Sequence, residues 1–156
     1  MITWVQDGDL LGAEVEALVN AVNTKGVMGR GLAAQFKARY PDHYLQYRDA
    51  CASGKVQLGK VLVTQSTATP GLAIIHFPTK DNWRSRSRLH DIENGLVDLR
   101  QTAATLGLRS MAVPALGCGL GGLPWTDVRP LIEHALQHLS IDVLVYLPQS
   151  EPHQPG

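Results

Sequence analysis

Two glycine-rich segments carry the clearest chemical pattern in this sequence. The first glycine loop is Gly26-Val-Met-Gly-Arg-Gly31, and the second glycine loop is Gly117-Cys-Gly-Leu-Gly-Gly122. Each follows an apolar, strand-like run and precedes a helix-like run. Glycine lets the backbone approach an anion closely, and the N–H groups of such loops and of a helix N-terminus can bind phosphate oxygens. Two such loops in one small chain predict a site for two phosphates, or for a diphosphate that joins two sugars.

The second glycine loop also satisfies the G-x-G-x-x-G pattern of dinucleotide-binding folds, with the acidic Asp142 further along the chain. That pattern should open a βαβ unit, whereas here it lies near the end of the sequence. Asp142 also begins a strand-like run, although the ribose-binding acid of such folds lies at the end of a strand. A plain Rossmann nucleotide binder is therefore disfavoured. A tight turn alone remains an alternative, although a turn does not require so many glycines.

The elements that must position these loops alternate along the chain. Short runs rich in Val, Ile and Leu predict strands at residues 2–6, 17–21, 61–65, 72–77, 111–115 and 142–147. Apolar stripes at helical spacing predict helices at residues 31–40, 42–52, 88–106 and 126–139, the last with Thr126 as its N-cap. This alternation predicts an α/β fold, a three-layer α/β/α sandwich. The short connection at residues 66–71 predicts a hairpin and therefore a mixed central sheet.

Composition and charge limit the class of protein. The chain has 156 residues, of which 44% are hydrophobic and 18% charged, and its formal net charge is +0. These values predict one compact globular domain at residues 1–148 and do not indicate a strongly basic nucleic-acid binder. The polar, proline-rich residues 149–156 are predicted to form a linker, or an end that leads to a further C-terminal domain.

Cysteines, histidines and the N-terminus give further expectations. Cys51 and Cys118 have no metal-ligand spacing and do not suggest a disulfide framework, which favours a reducing compartment. The six histidines show no metal-binding spacing either. The N-terminus lacks the pattern of a signal peptide, and no apolar run is long enough to span a bilayer. We therefore predict a cytoplasmic monomer that has no metal and no membrane partner.

Four segments, taken in order, carry a family resemblance. They are Gln6-Asp-Gly-Asp-Leu10, Leu18-Val-Asn-Ala-Val-Asn23, the first glycine loop with its continuation to Phe36, and Ala115-Leu-Gly-Cys-Gly-Leu-Gly-Gly-Leu123. Together they resemble the macrodomain family of ADP-ribose-binding modules, from the first strand to the last. The first glycine loop is more similar to the branch that contains the terminal ADP-ribose protein glycohydrolase than to macrodomains with a Gly-Gly-Gly loop.

A further stretch narrows the resemblance. Phe77-Pro-Thr-Lys-Asp-Asn-Trp-Arg84, followed by Ser87 and by Asp91-Ile-Glu-Asn-Gly-Leu96, is similar to the DarG macrodomains. These are the antitoxin halves of DarT–DarG systems and remove ADP-ribose from thymidine in DNA. The resemblance implies a macrodomain fold and an ADP-ribosyl glycohydrolase without a cofactor. The implied partners are ADP-ribose, ADP-ribosylated single-stranded DNA and a DarT-type toxin.

The resemblance also implies roles for individual residues. Asp9 would accept a hydrogen bond from the adenine amino group, although it can equally cap a short helical turn. Asn20 and Asn23 would contact the distal ribose, although a turn-forming Asn is a common alternative. Tyr146 would pack on the adenine or serve as an ordinary core or rim tyrosine. The full set implied for ADP-ribose binding is Gly8, Asp9, Leu10, Asn20, Ala21, Val22, Asn23, Met28, Gly29, Gly31, Thr79, Leu116, Gly117, Cys118, Gly119, Leu120, Gly121 and Tyr146.

The resemblance implies that Lys80 is the catalytic residue, whereas by itself it reads as an ordinary surface lysine. Its amine could attack the anomeric carbon of the distal ribose, or its ammonium could protonate or polarise the departing base or the ribose ring oxygen. Cys118 has no neighbouring base in sequence and is assigned no chemistry.

Trp83 and Arg84 follow Lys80 and are candidates for DNA contact, since an indole stacks on bases and arginine neutralises phosphates. A solvated surface for Arg84 and a core position for Trp83 are the alternatives. The terminal ADP-ribose protein glycohydrolase has an aspartate where this chain has Gly121. A lysine–aspartate pair is therefore missing here, and the site is expected to be more open to a nucleobase. A non-catalytic ADP-ribose reader and a hydrolase of glutamyl ADP-ribose on proteins remain the rival functions.

Overall fold

The computed structural model describes residues 1–82 and 84–149. Trp83 and most of the predicted linker, residues 150–156, lie outside the described residues. The strands are β1 (Ile2–Val5), β2 (Ala17–Asn23), β3 (Leu62–Gln65), β4 (Ala73–Lys80), β5 (Ser110–Val113) and β6 (Asp142–Tyr146). The helices are α1 (Gly31–Arg39), α2 (Pro41–Ala52), α3 (Leu89–Thr105) and α4 (Trp125–Leu136), with short 3₁₀ turns at Leu10–Gly12 and Gly119–Gly121.

The strands form one sheet in the order β1-β6-β5-β2-β4-β3. Every neighbouring pair is parallel except β3 and β4, which are antiparallel and joined by the predicted hairpin. This arrangement confirms the mixed sheet. Because the other five strands run in one direction, their carboxyl ends lie along the same edge, here called the carboxyl edge.

Alternating side chains along the strands cover the two faces of the sheet. On β2, Val19 belongs to the core that includes α3 and α4, whereas Leu18 packs with Phe36 of α1. Val22 lies in a further cluster with Tyr47 of α2. Because successive residues of a strand point to opposite faces, one apolar strand serves both helix layers. The structure therefore confirms the three-layer α/β/α sandwich.

Two strands extend further toward the carboxyl edge than the sequence predicts. β2 continues to Asn23 and β4 to Lys80, so Lys80 is the last residue of a strand and not part of the loop after it. Pro78 lies within β4 opposite Val22 of β2, beyond the residues Ala73 to His76 that pair with β3.

The predicted start of the last helix is wrong by one residue. α4 begins at Trp125, and its N-cap is Pro124, with no side-chain capping bond. Thr126 therefore lies within the first turn and does not cap it. The extended conformation of Pro124, with φ −66° and ψ 135°, ends the preceding loop directly before the helix.

Two features are absent from the described part of the chain. Within residues 1–82 and 84–149, no helix combines the length and apolar character that crossing a membrane requires. Among the same residues, no group of three or more His, Cys, Asp or Glu side chains is placed to hold a metal ion.

Candidate functional site

A cleft of about 550 Å³ opens at the carboxyl edge, between the two glycine loops and the ends of β2 and β4. Its volume is in the range of small-molecule sites. Most residues predicted to bind a ligand line it, and they come from four separate parts of the sequence. These residues are Ala21, Val22, Asn23, Gly29, Gly31, Thr79, Lys80, Gly117, Cys118, Gly119, Leu120 and Gly121.

Asn23 shapes the first glycine loop. Its Nδ2 donates to the backbone oxygen of Val27 at 2.8 Å, and its Oδ1 accepts from the backbone N–H of Lys25 at 3.0 Å. The hydroxyl of Tyr47 donates to the backbone oxygen of Asn23 at 2.6 Å and lies 3.2 Å from its Oδ1. Asn23 therefore fixes the conformation of the first glycine loop where it borders the cleft. The turn-forming role that the sequence analysis gave as an alternative for Asn23 is therefore present.

The first glycine loop leads directly into α1, whose first residues Gly31, Leu32 and Ala33 line the cleft. Gly31 has φ +57°, a conformation that favours glycine. The unpaired N–H groups of a helix N-terminus and its partial positive charge favour a bound anion. This side of the cleft is therefore suited to a phosphate group.

The second glycine loop forms the opposite wall. Gly117 has φ +76°, and a Cβ there would lie 2.7 Å from Cδ1 of Leu123, so a larger residue would distort the loop. The N–H of Leu123 donates to the oxygen of Gly117 at 2.9 Å and closes the turn. Leu120 projects from this loop with 62% of its surface exposed. The wall thus combines an approachable backbone with one apolar side chain at the mouth.

Lys80 lies between these walls, at the end of β4 and in register with Asn23 of β2. Partial burial lowers the pKa of Lys80, and the nearby Arg30 lowers it further. The hydroxyl of Thr24, just before the first glycine loop, donates to the backbone oxygen of Asp81 at 3.0 Å and so links this part of the chain to the residue after Lys80. The environment of Lys80 therefore makes its ammonium easier to deprotonate than that of an exposed lysine.

Arg30 is a site residue that sequence reasoning missed. It lines the cleft at the N-cap position of α1 and affects the charge of Lys80. The sequence does contain a signal for Arg30, because it lies between two glycines immediately before a helix. A cation at such a position is well placed to hold a phosphate. Val27, Leu32, Ala33, Pro114 and Ala115 also line the cleft without having been predicted.

The predicted adenine group lies beside the cleft on the same edge, where β1 and β6 end. Asp9 caps the 3₁₀ turn, because its Oδ1 accepts from the N–H of Leu11 at 3.1 Å. A Cβ on Gly8 would lie 2.9 Å from the ring of Tyr146. Burial raises the pKa of Tyr146, and the charge of Asp9 adds to this effect. The capping role of Asp9 is confirmed, while the adenine contacts of Asp9 and Tyr146 stay a prediction.

Several residues predicted to bind the ligand have buried side chains. Asn20 is fully buried, with its Nδ2 3.4 Å from Nδ1 of His76 and 3.9 Å from the sulfur of Met28. Asn20 faces the α1–α2 layer because it alternates with Val19 along β2. The predicted ribose contact of Asn20 stays a prediction. The side chains of Leu10, Met28 and Leu116 are likewise buried and outside the cleft lining.

Gly121 lines the cleft beside Ser87, and the expected opening of the site to a base stays a prediction. A Cβ at this position would clash with Oγ of Ser87, so the neighbouring space is already filled.

At Cys118, burial raises the thiol pKa to about 11. This side chain is therefore a thiol and not a reactive thiolate at neutral pH.

The predicted DNA-contacting pair is described only in part. Arg84 is exposed, its backbone N–H donates to Oδ1 of Asn82 at 3.0 Å, and it lies outside the cleft lining. Trp83 lies outside the described residues. DNA contact by this pair stays a prediction.

Comparison with known proteins finds relatives over most of the chain. The Macro domain family model matches residues 19–132. The DNA ADP-ribosyl glycohydrolase of Thermus aquaticus is 48% identical over 147 residues, which are 93% of this chain and 41% of that relative. This chain therefore spans about two fifths of the length of that curated relative.

Solved structures are similar over nearly the whole fold. The macrodomain of Mycobacterium tuberculosis DarG has a TM-score of 0.91 and 47% identity, and the match covers 96% of this chain and 99% of that one. Thermosipho africanus DarTG in complex with ADP-ribose has a TM-score of 0.90 and 36% identity, covering 98% of this chain and 43% of that one. With its mixed sheet, its two glycine loops at the carboxyl edge and this degree of similarity, the chain belongs to the macrodomain family.

Proposed function

We propose that this chain is an ADP-ribosyl glycohydrolase that removes ADP-ribose from thymidine in single-stranded DNA. It would thereby reverse the modification made by a DarT-type toxin and act as an antitoxin. The high identity to a DNA ADP-ribosyl glycohydrolase and to a DarG macrodomain supports this activity. The similarity to a DarTG protein supports the toxin as a partner and ADP-ribose as the bound moiety.

The observation that carries the proposal is the position of Lys80 between the two glycine loops. The loops and the N-terminus of α1 provide backbone donors for a diphosphate, with Arg30 adding a positive charge. A diphosphate held there presents its distal ribose to the end of β4, where Lys80 lies. A reader that only binds ADP-ribose does not require an amine with a lowered pKa at that point.

The proposed reaction breaks the bond between the anomeric carbon of the distal ribose and a nitrogen of the base. The bonding electrons pass to the base nitrogen, which takes up a proton, while water supplies the hydroxyl that the anomeric carbon gains. If the amine of Lys80 attacks first, a carbon–nitrogen bond forms transiently, and water then hydrolyses it and regenerates the amine. If the ammonium acts as an acid, it protonates the base as water attacks. Neither route requires a cofactor.

The segment after Lys80 is proposed to face the DNA strand. Arg84, Arg86 and Arg88 are exposed and follow directly from the strand that carries Lys80. Positive side chains at this place would neutralise backbone phosphates that flank the modified nucleotide. Trp83 is included in this proposal as a base-stacking residue.

The test is release of ADP-ribose from a single-stranded oligonucleotide that carries it on one thymidine. The wild-type protein is expected to release free ADP-ribose, and Lys80→Ala is expected to lower kcat by about 100-fold or more. The binding constant for free ADP-ribose should change little, because the glycine loops remain. Lys60→Ala, which removes an exposed lysine away from the cleft, is the matched control and should retain full activity.

Three outcomes would contradict parts of this proposal. Full activity of Lys80→Ala would remove the catalytic assignment. Tight ADP-ribose binding without release from any substrate would indicate a reader. Release from a glutamyl-ADP-ribosylated protein but not from the oligonucleotide would indicate a protein-directed hydrolase.

A further inference from the structure

Ser87 is an unusual residue in the exposed segment that follows Lys80. Its neighbours Arg84, Ser85, Arg86 and Arg88 are all exposed, whereas Ser87 keeps only 6% of its surface accessible. Its Oγ is buried and has no hydrogen-bond partner within the described residues. A buried hydroxyl without a partner is costly, so its retention calls for a specific explanation.

Ser87 contacts the second glycine loop through both its backbone and its side chain. Its N–H donates to the backbone oxygen of Gly121 at 2.9 Å. A Cβ added to Gly121 would lie 2.4 Å from Oγ of Ser87 and 3.1 Å from its Cβ. The side chain of Ser87 therefore fills the volume that any larger residue at position 121 would need.

Backbone strain does not explain the glycine at position 121. Gly121 is absent from the residues with positive φ, unlike its neighbours Gly119 and Gly122. Alanine would thus be acceptable to the backbone at this position, and the obstacle to it is Ser87 alone. Gly121 also lines the cleft, so its placement affects the wall that faces Lys80.

We infer that Ser87 is a positioning and specificity-determining residue that sets the second glycine loop against the segment carrying Lys80 and requires glycine at position 121. This inference rests on the proposed function, in which that loop binds the diphosphate. The contact between the two residues sets the spacing between the second glycine loop and the segment after β4. A larger residue at position 121 would have to displace Ser87 or the loop itself.

A double-mutant cycle on the two positions tests the inference. Gly121→Ala is expected to weaken binding of free ADP-ribose about tenfold, because the added methyl displaces either Ser87 or the loop. The double variant Ser87→Gly with Gly121→Ala removes both clashing atoms and should bind within about threefold of wild type. Ser85→Gly with Gly121→Ala is the matched control, since Ser85 is exposed, and it should remain as impaired as Gly121→Ala.

Hydrolysis and unfolding measurements complete the test. In Gly121→Ala we expect a raised KM for the ADP-ribosylated oligonucleotide, and in the Ser87→Gly double variant a KM close to that of wild type. The same cycle is followed by thermal unfolding, which reports the Ser87–Gly121 contact even if the oligonucleotide proves not to be the substrate. Wild-type binding by Gly121→Ala, or failure of Ser87→Gly to restore binding, KM and Tm, would overturn the inference.

Discussion

Lys80 shows how position changes the chemistry of an ordinary side chain. It ends a buried strand, faces a cleft and lies near Arg30, and both its burial and this second cation lower its pKa. Each effect disfavours the charged ammonium and favours the neutral amine. This residue was assigned through resemblance, since its sequence neighbourhood predicts no change of pKa. Arg30 was missed because nothing in the sequence shows that it lies beside Lys80.

The pH dependence of the reaction distinguishes the two roles of Lys80. Because the pKa of Lys80 is lowered, its amine forms at a lower pH than that of an ordinary lysine. If this amine attacks the ribose, we expect kcat to rise with pH and to level off above the pKa of Lys80. Arg30→Ala removes one cause of the lowering and should move the rise to higher pH. The measurement is single-turnover hydrolysis over a pH series. A rate that falls with increasing pH would instead assign the ammonium as a general acid.

At the scale of elements, the two glycine loops are held by neighbouring residues as well as by their own turns. Asn23 and Tyr47 hold the first loop, and Ser87 contacts the second. α2 thus contributes to the site although none of its residues lines the cleft. The glycines predict where the backbone can approach a ligand. The residues that support the loops, Tyr47 of α2 and Ser87 after β4, are identified only by how these parts pack.

Removing the hydroxyl of Tyr47 tests this bracing. Tyr47→Phe deletes the hydrogen bonds to Asn23 at 2.6 and 3.2 Å and keeps the ring that stacks on His76. We expect about 1 kcal/mol less free energy of unfolding and about threefold or more weaker ADP-ribose binding. Calorimetry and denaturant unfolding provide the two values. Tyr40→Phe is the control, and equal binding by all three proteins would contradict the bracing role.

At the scale of the whole molecule, a buried polar network joins the α2 layer to the sheet. Thr64 of β3 lies 2.7 Å from Nδ1 of His43 and 2.9 Å from Nε2 of His76 on β4. Burial, together with the nearby His43, lowers the pKa of His76 to about 3. Burial also lowers the pKa of His43, although Asp42 and Thr64 partly oppose this effect. Both imidazoles are therefore neutral in the folded protein at neutral pH.

This network predicts loss of stability in acid. The folded-state pKa of His76 lies below its ordinary value of 6.5, so its contribution to stability is complete above that pH. It is lost as the pH falls from about 6.5 toward 3, by about 1.4 kcal/mol per pH unit for each proton taken up on unfolding. Denaturant unfolding between pH 7 and pH 4 measures this slope. His76→Gln should flatten this slope, whereas His138→Gln on the surface should leave it unchanged. An unchanged slope in His76→Gln would refute the assignment of the slope to His76.

The sequence alone determined the fold class, the mixed sheet and the approximate elements, because these depend on local periodicity and on turn residues. Leu18 and Val19 illustrate this, since alternation along one apolar strand already requires a helix layer on each face. It also predicted that the two glycine loops would lie at one site, and both loops line the same cleft.

The tertiary structure decided which side chains reach the cleft. Asn20 and Asn23 belong to the same motif, yet the first is buried against His76 and the second brackets the loop. The ends of β2 and β4, and the contact of Ser87 with Gly121, likewise depend on residues distant in the sequence. Packing between elements sets the direction of each side chain and the space that it occupies. Local sequence patterns do not predict this packing, because the contacting residues are distant in the sequence.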